Sequence, residues 1–456
     1  MSARRIGRGT FVGLDWALVA AFRTQAADQL SAAVGAERGG FDVTAQRERG
    51  RAIILELLES EAAERVAGGQ SDWGLGTQDA MAVAIYDQLF GLGRLQPLVD
   101  DDDIENIIIT GCDQVMLEMV DGRLVPGPPV AESDQELIDF LVFLGSRSEV
   151  NARAFSEAQP RLHMRLDGGS RLAAAAWVTP RPSVVIRRHR LRRVSLADMV
   201  DLGALSEVAA SFLAAAVKAG KTIVVAGSQG SGKTTLVRAL CGQIPMHEAI
   251  GTFETEYELF LNEMPDVHPM VHAWEARPGS GERGPDGRPV GEYTLAQALH
   301  DSHRFNLLRQ IVGEVRGEEV LAMLKAMQSS NGSISTTHAP TAQAAIDKLV
   351  TCAMEAGNHV TYEYAVRAIA AAVNIVVHVH LETTPLPDGS AQRSRWVSEI
   401  IVVEPGEQVR GYAVTSVFAA PPGSPVAAPG VLPDDYRALE SFGFDVRGFY
   451  GQQAAS

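Results

Sequence analysis

The run Gly227-Ser228-Gln229-Gly230-Ser231-Gly232-Lys233-Thr234-Thr235 holds residue types suited to one kind of chemistry, the cradling of phosphate. It fits G-x-x-x-x-G-K-[ST], in which glycines let the backbone turn tightly enough to aim several N–H groups at one anion. Lys233 suits the outer phosphates of a nucleoside triphosphate, and the Thr234 hydroxyl suits Mg2+. The pattern means little without its setting, so the flanks matter. Before it, Thr222-Ile223-Val224-Val225-Ala226 is apolar and β-branched, as a buried strand is. After it, Leu236-Val237-Arg238-Ala239-Leu240 suits a helix whose positive end faces the same anion. A chance glycine turn would lack both flanks.

Further candidates follow downstream. The strand pattern Ile250-Gly251-Thr252-Phe253 ends among Glu254, Glu256 and Glu258, and Gln310-Ile311-Val312-Gly313 ends at Glu314. Carboxylates at the C-terminal ends of strands stand where α/β sheets bind ligands. Glu314 is placed to hold Mg2+ through water. Gly332 to Thr337 reads as a strand delivering His338; alone, such a histidine is more often structural than catalytic. His378 and His380 alternate along the strand pattern Val373–Leu381. Their spacing suggests a metal, but no third ligand accompanies them, and a solvent-facing pair is expected.

At 456 residues the chain is long enough for two or three domains, and 46% hydrophobic with 21% charged residues is a globular composition. The formal net charge of −16 argues against general attraction to nucleic acid or anionic lipid, although a local basic patch could act by itself. The 3 cysteines, Cys112, Cys241 and Cys352, are far apart and lack C-x-x-C spacing. They read as buried apolar residues of a reducing compartment, with no metal site. No apolar run is long enough to span a bilayer. The Arg4-Arg5 start has no following h-region or cleavage site, so no signal peptide and a cytoplasmic location are expected.

Residues 1–76 read as a helical N-terminal extension. Its apolar faces fall at Leu14–Val19 with Phe22 and at Ile53, Ile54, Leu57 and Leu58, with breaks at Gly39-Gly40 and Gly68-Gly69. Residues 77–190 read as an α+β domain. Met81–Phe90 suits an amphipathic helix, and Ile104–Thr110, Val115–Val120 and Arg123–Val125 suit strands, the last two joined by the hairpin signal Asp121-Gly122. A helix over Gln135–Leu144 precedes a second hairpin, Arg161–Leu166 and Arg171–Val178 around Asp167-Gly168-Gly169. Val184-Val185-Ile186 then enters the basic run Arg187-Arg188-His189-Arg190-Leu191-Arg192-Arg193. Nucleic-acid binding, a solvated connector, and arginines that reach a nearby nucleotide's phosphates all suit that run; the third fits best beside a phosphate loop. Residues 191–456 read as the domain of that loop. Helices are expected over Leu205–Val217, Val320–Ser329 and Thr341–Ala356, a mobile Gly/Pro/Arg loop over Arg277–Pro289, and a strand over Trp396–Val403. A proline-rich stretch over Pro421–Pro433 and a short helix to Phe442 close the chain.

In this order the features resemble the type II/type IV secretion-system ATPases, and within them the CpaF type of Tad pilus assembly, over roughly Asp79 to the C-terminus. Gly227–Thr234 is the family's Walker A loop. Thr252-Phe253-Glu254-Thr255-Glu256-Tyr257-Glu258-Leu259 stands at its Asp box, usually T-I-E-D-x-x-E-L. Arg309-Gln310-Ile311-Val312-Gly313-Glu314-Val315-Arg316-Gly317 is similar to its Walker B, R-I-I-V-G-E-V-R-G. Gly332-Ser333-Ile334-Ser335-Thr336-Thr337-His338-Ala339 is similar to its His box, G-S-x-S-T-x-H-A. Asp167-Gly168-Gly169-Ser170-Arg171-Leu172 and Val185-Ile186-Arg187-Arg188 match the signatures before the ATPase core.

The resemblance implies an α/β fold: a RecA-like P-loop NTPase core, a preceding α+β N-domain and an N-terminal helical extension. It implies ATP and Mg2+ as ligands. Gly227, Ser228, Gln229, Gly230, Ser231, Gly232, Lys233, Thr234 and Thr235 would surround the phosphates, with Arg171, Arg187 and Arg188 reaching them from the N-domain side. Catalysis would fall to Lys233, to Glu254 as the general base on water, to Glu314 holding the Mg2+ shell with Thr234, and to His338 at the γ-phosphate. The family implies a homo-hexamer, peripheral at the inner face of the cell membrane, on an inner-membrane platform protein of a pilus or secretion machine, with no nucleic acid expected. Three departures bear on turnover. Thr255 stands for the Asp of the box, leaving one carboxylate fewer near Mg2+; Leu307-Leu308 stands for Pro-Asp; Ser330-Asn331-Gly332 stands for His-Asp-Gly. ATP binding is expected to survive them, and the rate of hydrolysis is the open quantity. The rival readings are a DNA-translocating motor, which would need basic patches along a channel, and a nucleotide-gated scaffold without hydrolysis, which Thr255 favours.

Overall fold

The computed structural model describes residues 13–36, 42–69, 73–147, 155–188, 193–279, 282–317, 319–329, 332–357, 359–406, 411–421 and 425–454. Two compact units emerge, Met1–Arg190 with Pro385–Gln392, and Leu191–Thr384 with Arg393–Ser456.

The first unit opens with helices α1 (Trp16–Ala36), α2 (Val43–Ala67) and α3 (Leu75–Phe90). Val19, Phe22, Ile53, Ile54 and Ile85 are buried between them, the apolar faces expected from sequence. Asp42 caps α2, its carboxylate accepting from the Ala45 N–H at 2.7 Å. The break expected at Gly39-Gly40 lies outside the described residues. After a short helix α4 (Gln96–Asp100) come β1 (Ile104–Thr110), β2 (Gln114–Met119), β3 (Arg123–Pro126), α5 (Asp134–Arg147), β4 (Arg161–Arg165), β5 (Arg171–Ala175) and β6 (Ser183–Arg187). The strands line up β4-β5-β6-β1-β2-β3. Each neighbouring pair within this row is antiparallel. Ile107, Leu117, Leu162 and Ile186 bury one sheet face against Leu137 and Leu141 of α5.

Asp87 of α3 is 9% exposed, and burial, aided by the charge of Asp100, pushes its carboxyl from an ordinary 3.8 to about 7. A carboxyl whose folded value is raised contributes its full stability below pH 3.8 and loses it as pH rises through 7. Asp87→Asn removes that loss. The variant is expected to gain about 3 kcal/mol more over the wild type at pH 8 than at pH 5. Urea unfolding followed by the fluorescence of Trp16 and Trp73 checks it; an equal gain at both pH values rejects the assignment.

In the second unit α6 (Leu196–Asp201) and α7 (Glu207–Lys218) lead into β7 (Ile223–Gly227) and α8 (Lys233–Cys241). Then follow β8 (Ile250–Glu254), β9 (Val271–Glu275), the small pair β10 (Arg277–Pro278) and β11 (Glu292–Tyr293), α9 (Leu295–Ser302), β12 (Arg309–Val315), α10 (Glu319–Ser329) and β13 (Ile334–Thr337). Helices α11 (Ala342–Glu355) and α12 (Tyr362–Ala372) precede β14 (Ile375–Pro385), β15 (Ala391–Pro405), β16 (Tyr412–Ala419), β17 (Ala428–Pro429) and α13 (Val446–Gln453). The strand order β15-β14-β7-β13-β12-β8-β9 is parallel from β14 to β9. Strand β7 is buried on both faces. Ile223 and Val225 join a cluster with α7 and α8, while Val224 and Ala226 join one with α10, α11 and α12. Double burial explains the unbroken apolar run before the loop. This is an α/β core of RecA-like design, preceded by an α+β layer and a helical extension.

Several details differ from the sequence reading. Strand β9 carries no strong pattern of its own and lies at the sheet edge beside β8. The stretch expected as a mobile loop is tied by hydrogen bonds: β10 pairs with β11, and Val290 N–H donates to Glu282 O at 2.9 Å. His378 does not face solvent: it is 5% exposed, with Nδ1 2.7 Å from Ser398 Oγ of β15, while His380 packs on Trp396. The expected C-terminal strand is longer, as β15, and β16 and α13 were not foreseen.

Arg309, 1% exposed, pairs with Glu248 and reaches Gly332 O at 3.4 Å. Cys241 and Cys352 are buried and Cys112 is half-buried. Burial pushes all three thiols up, helped at Cys112 by the neighbouring carboxylates of Asp134 and Asp113. Among the described residues no helix is long and apolar enough to cross a membrane.

Candidate functional site

Strand β7 delivers the glycine loop at its C-terminal end, and α8 starts directly after it. Gly227, at φ +155°, admits no side chain: a Cβ there would lie 2.4 Å from Val379 O and 2.6 Å from Ser231 Oγ. Gly232, at φ +91°, is the N-cap of α8 and lends the helix no side-chain cap, so first-turn N–H groups face the loop. Ser231 is 1% exposed, and its Oγ has no hydrogen-bond partner among the described residues. An uncapped helix start beside an orphaned buried hydroxyl fits a phosphate group.

Lys233 is 7% exposed. Its ammonium donates to Gly227 O at 3.1 Å and Ser228 O at 2.9 Å, and stands 3.2 Å from His338 Nδ1. On the far side of the ring, His338 Nε2 is 2.5 Å from Glu314 Oε1. A lysine ammonium can only donate and an ionised carboxylate can only accept, so the ring proton facing Glu314 sits on Nε2. Burial pushes the Glu314 carboxyl up, but the adjoining His338 ring and the Arg316 guanidinium outweigh it and hold it down at about 2. Lys233, Glu314 and His338 thus come together from the start of α8 and the ends of β12 and β13.

Glu254, at the end of β8, is 2% exposed, and its Oε1 accepts from the Glu258 and Leu259 N–H groups at 2.8 and 2.9 Å. Arg238 of α8 donates through Nε to Glu258 O at 2.9 Å. So braced, Glu258 reaches the phosphate loop, and Thr234 Oγ1 donates to its Oε2 at 3.0 Å. The sequence reading placed Glu258 among the acids of the box without giving it a role. The signal was its position, the last glutamate of Glu254-Thr255-Glu256-Tyr257-Glu258, just beyond the strand. Thr255 itself is exposed. Thr234, Glu258 and Glu314 offer oxygen donors, which fit Mg2+ completed by phosphate oxygens and water. Among the described residues no group of three or more His, Cys, Asp or Glu is placed to hold a metal by itself.

The arginines of the first unit divide. Arg171 pairs in register with Arg187 on one side and with Arg165 on the other, a row of cations across β4, β5 and β6. Arg165 was not singled out from sequence. Arg188 instead donates to the carbonyls of Asp101 and Ile104, the latter at 2.9 Å. Residues 189–192 of the basic run and Ser330-Asn331 lie outside the described residues. Leu307 packs with the α9–α12 cluster.

Residues 135–396 match the family described as Type II/IV secretion system protein. An uncharacterised protein of Methanocaldococcus jannaschii is 29% identical over 60% of this chain, which spans 47% of that protein's length. The type IV secretion system protein VirB11 of Brucella suis is 28% identical over 64% of this chain and 85% of its own. A solved VirB11 ATPase of the same organism, in complex with sulphate, has 26% identity and a TM-score of 0.34, covering 69% of this chain and 94% of that one. With more than half its length inside the family's match, the chain belongs to the Type II/IV secretion system protein family.

Proposed function

We propose that the chain is an ATP hydrolase working as a homo-hexameric motor for pilus assembly or protein secretion across the bacterial envelope, with the Tad machinery served by CpaF-type proteins as the specific case. The observation that carries this reading is the path Lys233–His338–Glu314, which joins a loop lysine to a Walker B carboxylate through one imidazole. In this reading the loop from Gly227 to Thr235 and Lys233 hold the phosphates of ATP. Thr234, Glu258 and Glu314 hold Mg2+, which when bound offsets the charge growing on the transferred phosphoryl group. Glu254 orients and deprotonates the attacking water. His338, between Lys233 and Glu314, shifts when a γ-phosphate draws Lys233 away. Arg171 and Arg187 are the cations that the family's pattern would assign to the phosphates; Arg188 is engaged with backbone carbonyls.

Glu258 favours turnover over the scaffold reading. It brings to Thr234 the carboxylate that Thr255 does not supply. By the family's implication the protein docks peripherally, at the inner face of the membrane, on a platform protein.

Phosphate release from Mg–ATP, compared with Lys233→Ala, tests the reading. Wild type is expected to exceed the variant by about a hundredfold, the scale of losing one preorganised charge at a phosphoryl group. Equal rates would overturn it. Light scattering with and without ATP and Mg2+ tests the hexamer, and the mass of a single chain under both conditions removes it.

A further inference from the structure

We propose that Arg395 is a positioning residue of the phosphate loop. It holds the Gly230–Ser231 peptide in place and ties the loop to the β14–β15 hairpin. The proposal rests on the nucleotide-binding reading above.

The hairpin meets the loop at two points. Gly227 pairs in register with Val379 of β14, so close that a Cβ on Gly227 would lie 2.4 Å from Val379 O. From β15, Arg395 donates through Nε to Gly230 O at 2.8 Å. Its Cδ stands 3.7 Å from where a Cβ on Gly232 would be. In a trans peptide the C=O and N–H point in opposite directions. A guanidinium drawing the Gly230 carbonyl to one side therefore turns the Ser231 N–H to the other, into the loop, where it meets Ser228 O at 3.3 Å. Gly230, at φ +77°, has no side chain to fix this orientation. A charge-assisted hydrogen bond from outside supplies the constraint.

The hairpin gives this contact a second meaning. The chain leaves the second unit after Thr384, spends Pro385–Gln392 in the first, and returns at Arg393. Within the first unit Ala391 and Gln392 pair with Leu124 and Arg123 of β3. Arg395 lies just beyond the return. A loop that tightens on phosphates pulls on Arg395, and so on the strand leading out of the hairpin tip.

The test uses the full chain, fluorescent ADP and ATP analogues, and hydrogen exchange over residues 385–392. Arg395→Met keeps the aliphatic stem and removes the donor. It is expected to weaken ADP and ATP binding by the same factor, about tenfold. Arg395→Lys, which can still donate to Gly230 O, should recover most of that loss. Nucleotide should slow exchange over 385–392 in the wild type, and not in Arg395→Met at saturating nucleotide. Met-variant affinities within about twofold of wild type overturn the proposal. So does a loss confined to ATP, which would make Arg395 a γ-phosphate ligand, and so does failure of Lys to rescue. If Arg395→Met does not fold, wild-type exchange decides: no nucleotide-dependent slowing over 385–392 overturns the coupling. Wild type binding no better than Lys233→Ala defeats the nucleotide reading itself, a result separable from all of these.

Discussion

Glu254→Gln is expected to leave nucleotide affinity within about twofold of wild type and to lower phosphate release by about a hundredfold or more, the range lost with a general base. The geometry makes this comparison clean. Glu254 Oε1 accepts two backbone N–H groups that hold the Glu258-Leu259 turn. A glutamine keeps that oxygen and its two hydrogen bonds while giving up the ability to take a proton. Glu254→Ala also removes the acceptor, leaves two buried donors unpaired and frees Glu258 from Thr234, at about 1–3 kcal/mol per orphaned group. Phosphate release and urea unfolding on both variants separate chemistry from bracing. If Gln retains wild-type release while Ala loses it, Glu254 is a brace, and the base must be sought elsewhere.

Arg309→Ala is expected to cost about 3–5 kcal/mol of stability, because it strands the carboxylate of a buried pair. Arg309 is 1% exposed and Glu248 is 16% exposed at the side chain. Together they join the entry to β8, the start of β12 and, through Gly332, the approach to β13. Replacing both partners by apolar residues, Arg309→Met with Glu248→Leu, should recover most of the loss, since no buried charge is then left over. Denaturant unfolding followed by Trp274 fluorescence reads both variants. A single-variant cost under about 1 kcal/mol would show the pair to be screened by solvent.

What the sequence displayed and what it concealed follow from reach. The loop and its flanks were legible because a strand, a glycine turn and a helix are all local: Ile223–Gly227 and Lys233–Cys241 fall where the apolar run and the helix pattern put them. The sheet of the first unit was legible for the same reason, since Asp121-Gly122 and Asp167-Gly168-Gly169 name their turns. Contacts across the chain were not. Glu258 on Thr234, Arg395 on Gly230 and Arg171 beside Arg187 depend on which strands become neighbours, and no local period records that. His378 shows the limit from the other side. Alternation with His380 implied one exposed face, but His378 is buried against Ser398 of β15 while His380 stays exposed. Strand β9 was concealed because an edge strand, supported by a single neighbour, needs no strong pattern of its own.

The three native thiols have a practical consequence. Because Cys112, Cys241 and Cys352 all hold their protons more firmly than a free cysteine, maleimides should find little thiolate on them near neutral pH. A cysteine placed at an open position such as Leu202, 66% exposed, would then take a dye ahead of them. Spectroscopic probes can be attached one at a time without first stripping the natural thiols from the chain.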